Sequence, residues 1–222
     1  MLGHMLTNYL LIAWRNLKRD KLFAALNILG LALGIVACML IHIYVQDELS
    51  FDAHHVKADR IFRVQGHFNF GDTQDDFGIT QFPMVPTLLK EYPEIEGGTL
   101  LYILNQCQFT YKGQSYRVDD GYYADTAYFR TFDYKWISGG PHALDEPDAL
   151  VVTQRFAREI FGSEEPMGKL VERNGRTLKV AGVIDERAYN THIPVGCFLS
   201  LLGMPPQAKE QLMTTWGQVS SY

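Results

Sequence analysis

The sequence predicts an α+β protein in which one N-terminal transmembrane helix is followed by a mixed α/β domain outside the cytoplasm. The first observation behind this prediction is a run of 25 residues without formal charge, 22–46, between Lys21 and Asp47. The second is an alternation of strand and helix signals, with two hairpin turns, over the rest of the 222-residue chain. We therefore divide the chain into an amphipathic helix (1–21), a membrane span (22–46) and a folded outer domain (47–222).

The uncharged run is long enough to cross a bilayer. In a helix, 25 residues extend for about 37 Å, and the hydrocarbon core of a membrane is about 30 Å thick. The apolar region of a signal peptide is shorter, about 7–15 residues, and residues 41–44 offer no small-residue cleavage site. A helix buried in a soluble domain is the remaining alternative, but a chain of this size rarely encloses one so long. We predict a transmembrane helix.

The charges at the two ends of the span predict its orientation. Four basic residues precede the span: Arg15, Lys18, Arg19 and Lys21. The first basic residue beyond it is Lys57. The positive-inside rule therefore places the N-terminus in the cytoplasm and residues 47–222 in the periplasm of a bacterial cell. That part has 16 Lys and Arg against 24 Asp and Glu, which is opposite to a nucleic-acid-binding surface. We expect no nucleic acid among its partners.

The segment before the span is predicted to lie along the inner membrane surface. Apolar residues that include Trp14 and Leu17 repeat at helical spacing, and basic residues lie on the other side. We expect the membrane-interface residues to contact lipid headgroups; they are Trp14, Arg15, Lys18, Arg19 and Lys21. A plain N-terminal extension of the span is the alternative, and it leaves the same topology.

One face of the span is small or polar. Asn27, Gly30, Gly34 and Cys38 recur at steps of three and four, which places them along one side of a helix. Gly30 and Gly34 form the pattern that lets two helix backbones approach closely in lipid. The alternative is ordinary membrane-helix composition, because Gly is frequent in such helices. We expect this face to pack against another membrane helix.

The junction between the span and the outer domain is acidic. Asp47, Glu48 and Asp52 follow the apolar run directly, and we expect them to mark the point where the chain leaves the membrane. His54 and His55 come next. If this segment is extended, neighbouring side chains point to opposite sides, so the two histidines are poor joint metal ligands.

The first part of the outer domain is predicted to contain a strand, a loop and a short helix. Residues 60–70 are rich in β-favouring side chains, and the GDTQDD sequence at 71–76 is a typical polar loop. Residues 83–92 fit a short helix that Pro93 ends.

Turn chemistry predicts the rest of the outer domain. Lys112-Gly113 and Asn174-Gly175 each fit a tight hairpin turn, in which both central residues need positive φ. Residues 149–152 form an apolar strand, Thr153 is the expected N-cap of the next helix, and Gly162 ends that helix. The order of strand, helix and hairpin predicts a mixed sheet packed against helices.

Local motifs for catalysis or cofactor binding are missing from the sequence. The GSEEPMGKL stretch at 162–170 has the wrong glycine spacing for a phosphate loop, and Leu170 replaces the required Ser or Thr. The usual metalloprotease, paired-cysteine and nucleophile-elbow patterns do not occur. We predict a non-catalytic protein with no cofactor and no metal; a dispersed catalytic set is the alternative. Cys107 and Cys197 fit either a periplasmic disulfide or two buried thiols.

Several stretches resemble one family. Near its N-terminus the chain has the stretch NYLLIAWRNLKRDK. It continues through LNILGLALGIVACMLI and HIYVQDELSFDAHH to RIFRV, and later contains DALVVTQRFAREIFGSEEPMGKLVERNGRTLKVAGVI. Together these stretches resemble the start of MacB/FtsX-type ABC transporter permeases with a MacB-like periplasmic core domain. The likeness covers most of residues 5–202.

The resemblance implies a permease subunit of the bacterial inner membrane that relays ATP-driven motion to the periplasm for export or release of a substrate. Its implied partners are a cytoplasmic ABC ATPase, a second permease copy or a homologous permease, membrane lipids and a periplasmic adaptor. Family members return to the membrane after the core domain, so we expect this chain to be an N-terminal portion with an incomplete core domain. A single-span anchor for a periplasmic binding or sensory domain is the alternative.

Overall fold

The structure is a computed structural model that describes residues 2–70, 73–186, 190–214 and 219–222. The chain divides into two compact units, one up to Ser50 and one from Phe51 onwards. Each unit is described by itself below.

The first unit consists of two helices. Helix α1 runs over Leu2–Arg19 and α2 over Lys21–Ser50, and they are separated at Asp20. At 30 residues, α2 is about 45 Å long and none of its residues is buried within the chain. Within the described residues it is the one helix that is long and apolar enough to cross a membrane, judged by length and composition. It contains the whole predicted span and continues for four residues beyond it.

The second unit combines a mixed sheet with short helices. Its strands are β1 (Gly66–Phe70), β2 (Thr73–Phe77), β3 (Leu100–Tyr111), β4 (Gln114–Ala124), β5 (Trp136–Ser138), β6 (Ala149–Thr153), β7 (Leu170–Arg173), β8 (Arg176–Ile184), β9 (Cys197–Ser200) and β10 (Val219–Ser221). Its helices are α3 (Met84–Glu91), α4 (Tyr128–Thr131), α5 (Gln154–Phe161) and α6 (Pro206–Thr214), with short 3₁₀ turns at Ala58–Arg60 and Leu201–Gly203.

The main sheet has eight strands, of which seven follow the order β10-β3-β4-β9-β6-β8-β5, while β7 pairs with both β3 and β8. The β4/β9 and β6/β8 pairs are parallel and the other pairs are antiparallel. Strands β1 and β2 form a separate two-stranded sheet. The predicted α+β class, with a mixed sheet after one long apolar helix, is confirmed.

Both predicted hairpin turns are confirmed. Lys112 and Gly113 have φ of 49° and 79°, and they connect β3 with β4. Asn174 and Gly175 have φ of 50° and 76°, and they connect β7 with β8. Positive φ at both central residues is the geometry of a type I′ turn, whose twist matches that of the flanking strands.

Helix α5 begins and ends where the sequence predicts. The Thr153 hydroxyl accepts a hydrogen bond from the Phe156 N–H at 3.3 Å, which satisfies one of the free donors at the helix start. Gly162 ends the helix with a φ of 62°, a conformation that side chains disfavour. The helix buries its apolar face, made of Phe156, Ala157, Ile160 and Phe161.

The prediction for residues 60–76 is partly wrong. Residues 61–65 are not in a strand, and β1 begins only at Gly66. The expected polar loop is largely strand β2, which pairs antiparallel with β1; its first two residues, Gly71 and Asp72, lie outside the described residues. Polar side chains are tolerated because this hairpin is not part of the main sheet. His67 and Asp76 are paired across the hairpin, with 2.5 Å between the His67 Nδ1 and the Asp76 Oδ1.

The core lies on both faces of the main sheet. Alternate residues of one strand point to opposite faces, so in β9 Cys197 and Leu199 join one apolar cluster and Phe198 joins the other. The first cluster packs α5 against the sheet, with the Phe109 and Phe156 rings 5.6 Å apart. The second is aromatic and surrounds α4. Every residue of β6 is buried, as expected for a central strand covered on both faces.

Candidate functional site at the start of the outer unit

The outer unit begins with a turn that Asp52 holds in place. Asp52 has a φ of 54°, a left-handed conformation that a short polar side chain tolerates better than most. Its N–H donates to the Asn190 carbonyl at 3.0 Å. Its carboxylate accepts the His192 N–H at 3.3 Å and lies 2.8 Å from the His192 Nδ1. We call these three residues the entry clasp, because they join the first turn of the outer unit to a segment far along the chain.

His55 anchors the same turn in the aromatic core. Its side chain is buried, and its ring meets the edge of Phe132 with centroids 5.1 Å apart. The His55 Nδ1 accepts the Asp133 N–H at 3.0 Å, while the Val56 N–H donates to the Asp133 Oδ2 at 2.8 Å. Since Nδ1 accepts a hydrogen bond, the neutral ring carries its proton on Nε2, which is 4.0 Å from the Asp52 Oδ1.

The electrostatics of the junction favour neutral histidines and a charged aspartate. Burial lowers the pKa of His54 and of His55, although the nearby carboxylates of Asp52 and Asp133 oppose this. Burial acts to raise the pKa of Asp52, but hydrogen bonds from Thr191 and His192 together outweigh it and the pKa is lowered. At neutral pH Asp52 is therefore a charged carboxylate that accepts hydrogen bonds from Thr191 and His192.

Sequence reasoning identified one member of this site. Asp52 is in the clasp, whereas Asp47 and Glu48 lie in the last turns of α2. The expectation of an extended segment at His54 and His55 is wrong: residues 51–54 form a turn, and the two rings pack at 3.9 Å between centroids. A metal site does not follow, since no group of three or more His, Cys, Asp or Glu side chains suited to a metal occurs among the described residues.

The predicted packing face of α2 is accessible. Gly30, Gly34 and Cys38 line one shallow groove on the helix, and Asn27 lies one turn before it. A Cβ atom added to either glycine would meet nothing within 4 Å. The contact with a second helix stays a prediction.

The predicted membrane-interface residues lie at the end of α1 and the start of α2. The Lys18 Nζ is 5.2 Å from the centre of the Trp14 ring, and the Arg19 Nε is 3.5 Å from the Asp20 Oδ2. Trp14 is exposed. Arg15 lies in α1, and Lys21 is the first residue of α2. Their contact with lipid stays a prediction.

Of the two alternatives for Cys107 and Cys197, the structure has the buried thiols. Both cysteines are free and neither side chain is exposed to solvent. They lie on neighbouring parts of the same sheet face, in strands β3 and β9.

Comparison with known families agrees with this architecture. The family model of the MacB-like periplasmic core domain matches residues 24–218. The chain belongs to this family. The match begins inside α2, so it includes most of the apolar helix as well as the outer unit. This MacB-like chain is thus part of an ABC transporter permease family, in which the permease component is typically non-catalytic and assembles with an ATPase.

Three solved structures are similar to this chain, and the first shares its fold. A domain from Porphyromonas gingivalis that is described as part of a permease aligns with a TM-score of 0.55 and 19% identity, over 66% of this chain and 68% of that one. The periplasmic region of MacB from Actinobacillus actinomycetemcomitans aligns with a TM-score of 0.49 and 15% identity, over 77% and 71%. The extracellular domain of the Gram-positive ABC-type transporter YknZ gives 0.47 and 15%, over 64% and 72%. No curated protein matches significantly.

Proposed function

We propose that this MacB-like chain is the part of an ABC permease that relays ATP-driven motion from the membrane to its periplasmic domain, for export or release of a substrate. The observation that carries the proposal is the entry clasp. Helix α2 continues directly into the turn at Phe51, so any displacement of the helix end reaches Asp52 through the backbone. Asp52 then passes it to residues 190–192, which lie in the segment that leads into the central strand β9.

The clasp suits such a relay because its contacts are polar and directional. His55 ties the turn to Asp133 next to the aromatic cluster around α4, and Asp52 ties it to His192. Two separate attachments resist rotation of the turn better than one. A lone membrane anchor needs only a covalent linker and has no use for this arrangement.

The proposed assembly has the N-terminus in the cytoplasm and the core domain in the periplasm. Hydrolysis of ATP occurs on a separate cytoplasmic ABC ATPase, and α2 packs against a second copy or a homologous permease through the face that contains Gly30 and Gly34. The residues around Trp14 lie among lipid headgroups. A periplasmic adaptor is a further proposed partner of the core domain.

The test uses the full-length gene product, reconstituted with its ABC ATPase in lipid nanodiscs. Spin labels at exposed Phe62 of both permease copies report the distance between core domains by pulsed electron resonance. We expect trapping with ATP and vanadate to change that distance, and the double variant Asp52→Ala, His192→Ala to suppress the change while ATP hydrolysis continues. Asp59→Ala, an exposed acid in the next turn, is the matched control.

Two outcomes would contradict the relay. Core domains that do not move during the ATP cycle would favour the anchored binding or sensory domain. Movement that persists in the double variant would assign the coupling to other residues.

A further inference from the structure

The thiols of Cys107 and Cys197 meet over a glycine. Cys107 lies in β3 opposite Val118 of β4, and Cys197 lies in β9 opposite Gly121 of β4. Gly121 has no side chain to keep the two sulfurs apart: a Cβ atom placed there would collide with the Cys107 Sγ and would lie 3.4 Å from the Cys197 Sγ. We call Cys107 and Cys197 the dithiol pair.

A positive charge faces the dithiol pair. The Arg173 guanidinium, which also lies 6.0 Å from the centre of the Tyr123 ring, is close enough to the Cys107 sulfur to stabilise a thiolate. Its Nε is buried and has no hydrogen-bond partner among the described residues.

The strand between the two cysteines disfavours a disulfide. Strand β4 lies between β3 and β9, and two regular strand spacings of about 4.8 Å put the Cα atoms of residues on either side of a strand about 9–10 Å apart. A disulfide needs Cα atoms about 4.4–6.8 Å apart, and bridging a wider gap requires the backbone to move. The strand spacing therefore disfavours a direct bond between the two sulfurs.

We propose that the dithiol pair is a binding site for a soft monovalent metal ion, Cu(I) or Ag(I), held between the two sulfurs over Gly121. Thiolates are the side chains that select Cu(I), and this ion accepts two ligands in a line. A sulfur–metal–sulfur bridge spans a wider gap than a sulfur–sulfur bond, so it can join two cysteines that have a strand between them. Binding releases the two thiol protons and involves no electron transfer.

The charge balance of the dithiol pair and Arg173 favours a monovalent ion. Two thiolates and one Cu(I) carry a net charge of −1, which the Arg173 guanidinium neutralises, and a buried site is stable only when its charges are paired. Zn²⁺ is a poorer fit because it takes four ligands in structural sites, and the described residues provide no cluster of three or more His, Cys, Asp or Glu.

The experiment is a competition titration of the full chain in detergent, with Cu(I) supplied by a chromophoric Cu(I) chelator under reducing, oxygen-free conditions. The background variant is Cys38→Ser, so that the dithiol pair contains the only cysteines. Because both thiols are buried, each point is left to equilibrate until the absorbance is constant. We expect one equivalent of Cu(I) to leave the chelator.

Matched variants test the assignment. Cys107→Ser and Cys197→Ser should each abolish the transfer of Cu(I), and Arg173→Met should weaken it by about tenfold to a hundredfold, as loss of a supporting group around a metal typically does. When Zn²⁺ is supplied as its complex with a zinc-binding dye, the protein should not remove the Zn²⁺ from the dye. Circular dichroism checks that each variant is folded, and the Arg173 and zinc results stand even where a cysteine variant unfolds.

Three results would overturn the proposal: no Cu(I) transfer to the background variant, equal transfer to folded cysteine variants, or tighter binding of Zn²⁺ than of Cu(I). Formation of a Cys107–Cys197 disulfide in the folded chain under mild oxidation, detected by mass spectrometry, would overturn the spacing argument and with it the preference for a bridged ion.

Discussion

Asp52 and His192 are 140 residues apart in sequence and are joined by two contacts through one carboxylate. One oxygen accepts the His192 N–H, and the other lies 2.8 Å from the imidazole Nδ1. The contact fixes the first turn of the outer unit against the segment before β9. Its contribution to stability is therefore measurable without any knowledge of a substrate.

We expect Asp52→Ala to lower the free energy of unfolding of the outer unit by about 1–3 kcal/mol. The variant loses hydrogen bonds to a charged group, and alanine is strained at a φ of 54°. Asp52→Gly removes the same bonds without that strain, so it should cost less. Thermal unfolding followed by circular dichroism measures both.

The control for this pair is Asp59→Ala, which alters an exposed acid nearby and should change little. A double-mutant cycle with His192→Ala should give a coupling energy of more than about 0.5 kcal/mol. Strict additivity of the two variants would show that the clasp contributes nothing to stability.

The histidines of the junction make stability depend on pH. The pKa of His54 and of His55 is below the ordinary 6.5 because of burial, so the unfolded chain binds more protons than the folded one as the pH falls below 6.5. The contribution of these histidines to the free energy of unfolding is therefore fully present above pH 6.5 and decreases below it. The lowered pKa of Asp52 adds a second loss only below its ordinary value of 3.8.

We expect His55→Asn to reduce this pH dependence. The Asn oxygen replaces the Nδ1 acceptor for the Asp133 N–H but cannot gain a proton in this range. The variant should be less stable at pH 8, because the ring packing on Phe132 is lost, and its unfolding temperature should change less between pH 8 and pH 5. His142→Asn, at an exposed position, should retain the slope of the natural chain; an unchanged slope in His55→Asn would assign the dependence to other groups.

Features that depend only on residues close together in the sequence were predictable. The Asn174-Gly175 turn and the Thr153 cap are encoded within a few residues, so turn and capping chemistry located both. The entry clasp and the dithiol pair depend on which strands become neighbours. No local signal indicates that Asp52 meets His192, and for Cys107 and Cys197 the sequence left a disulfide and two buried thiols as equal alternatives. Strand β2 was missed for another reason: its polar composition is typical of a loop, and only pairing with β1 makes it a strand.

The Asn174-Gly175 turn provides a conformational test of the hairpin. Gly175→Ala should destabilise the outer unit by about 1–2 kcal/mol, because alanine is strained at a φ of 76°. A Cβ atom there would meet nothing within 4 Å, so no steric contact contributes. Gly140→Ala is the matched control, since Gly140 also has open space around it and does not have positive φ. Chemical denaturation measures both, and equal effects would contradict the backbone explanation.

The last prediction concerns the packing face of α2. Gly34→Leu should weaken association of the helix in a membrane by about 1 kcal/mol or more, because van der Waals packing drives helix pairing in lipid and a bulky side chain keeps two backbones apart. Within the chain nothing lies within 4 Å of a Cβ at Gly34, and leucine favours helix more than glycine does, so α2 itself should be unharmed. Any loss must then come from a second helix.

Val36→Leu is the matched control for that loss, since Val36 points from a different side of α2 and is already exposed. The two variants are compared in a membrane association assay, first in the isolated span and then in the full-length permease. Weakening by Gly34→Leu alone would support a permease in which α2 contacts another membrane helix. Equal behaviour of the two variants in both settings would remove the packing argument, and a single anchoring helix would then account for the span equally well.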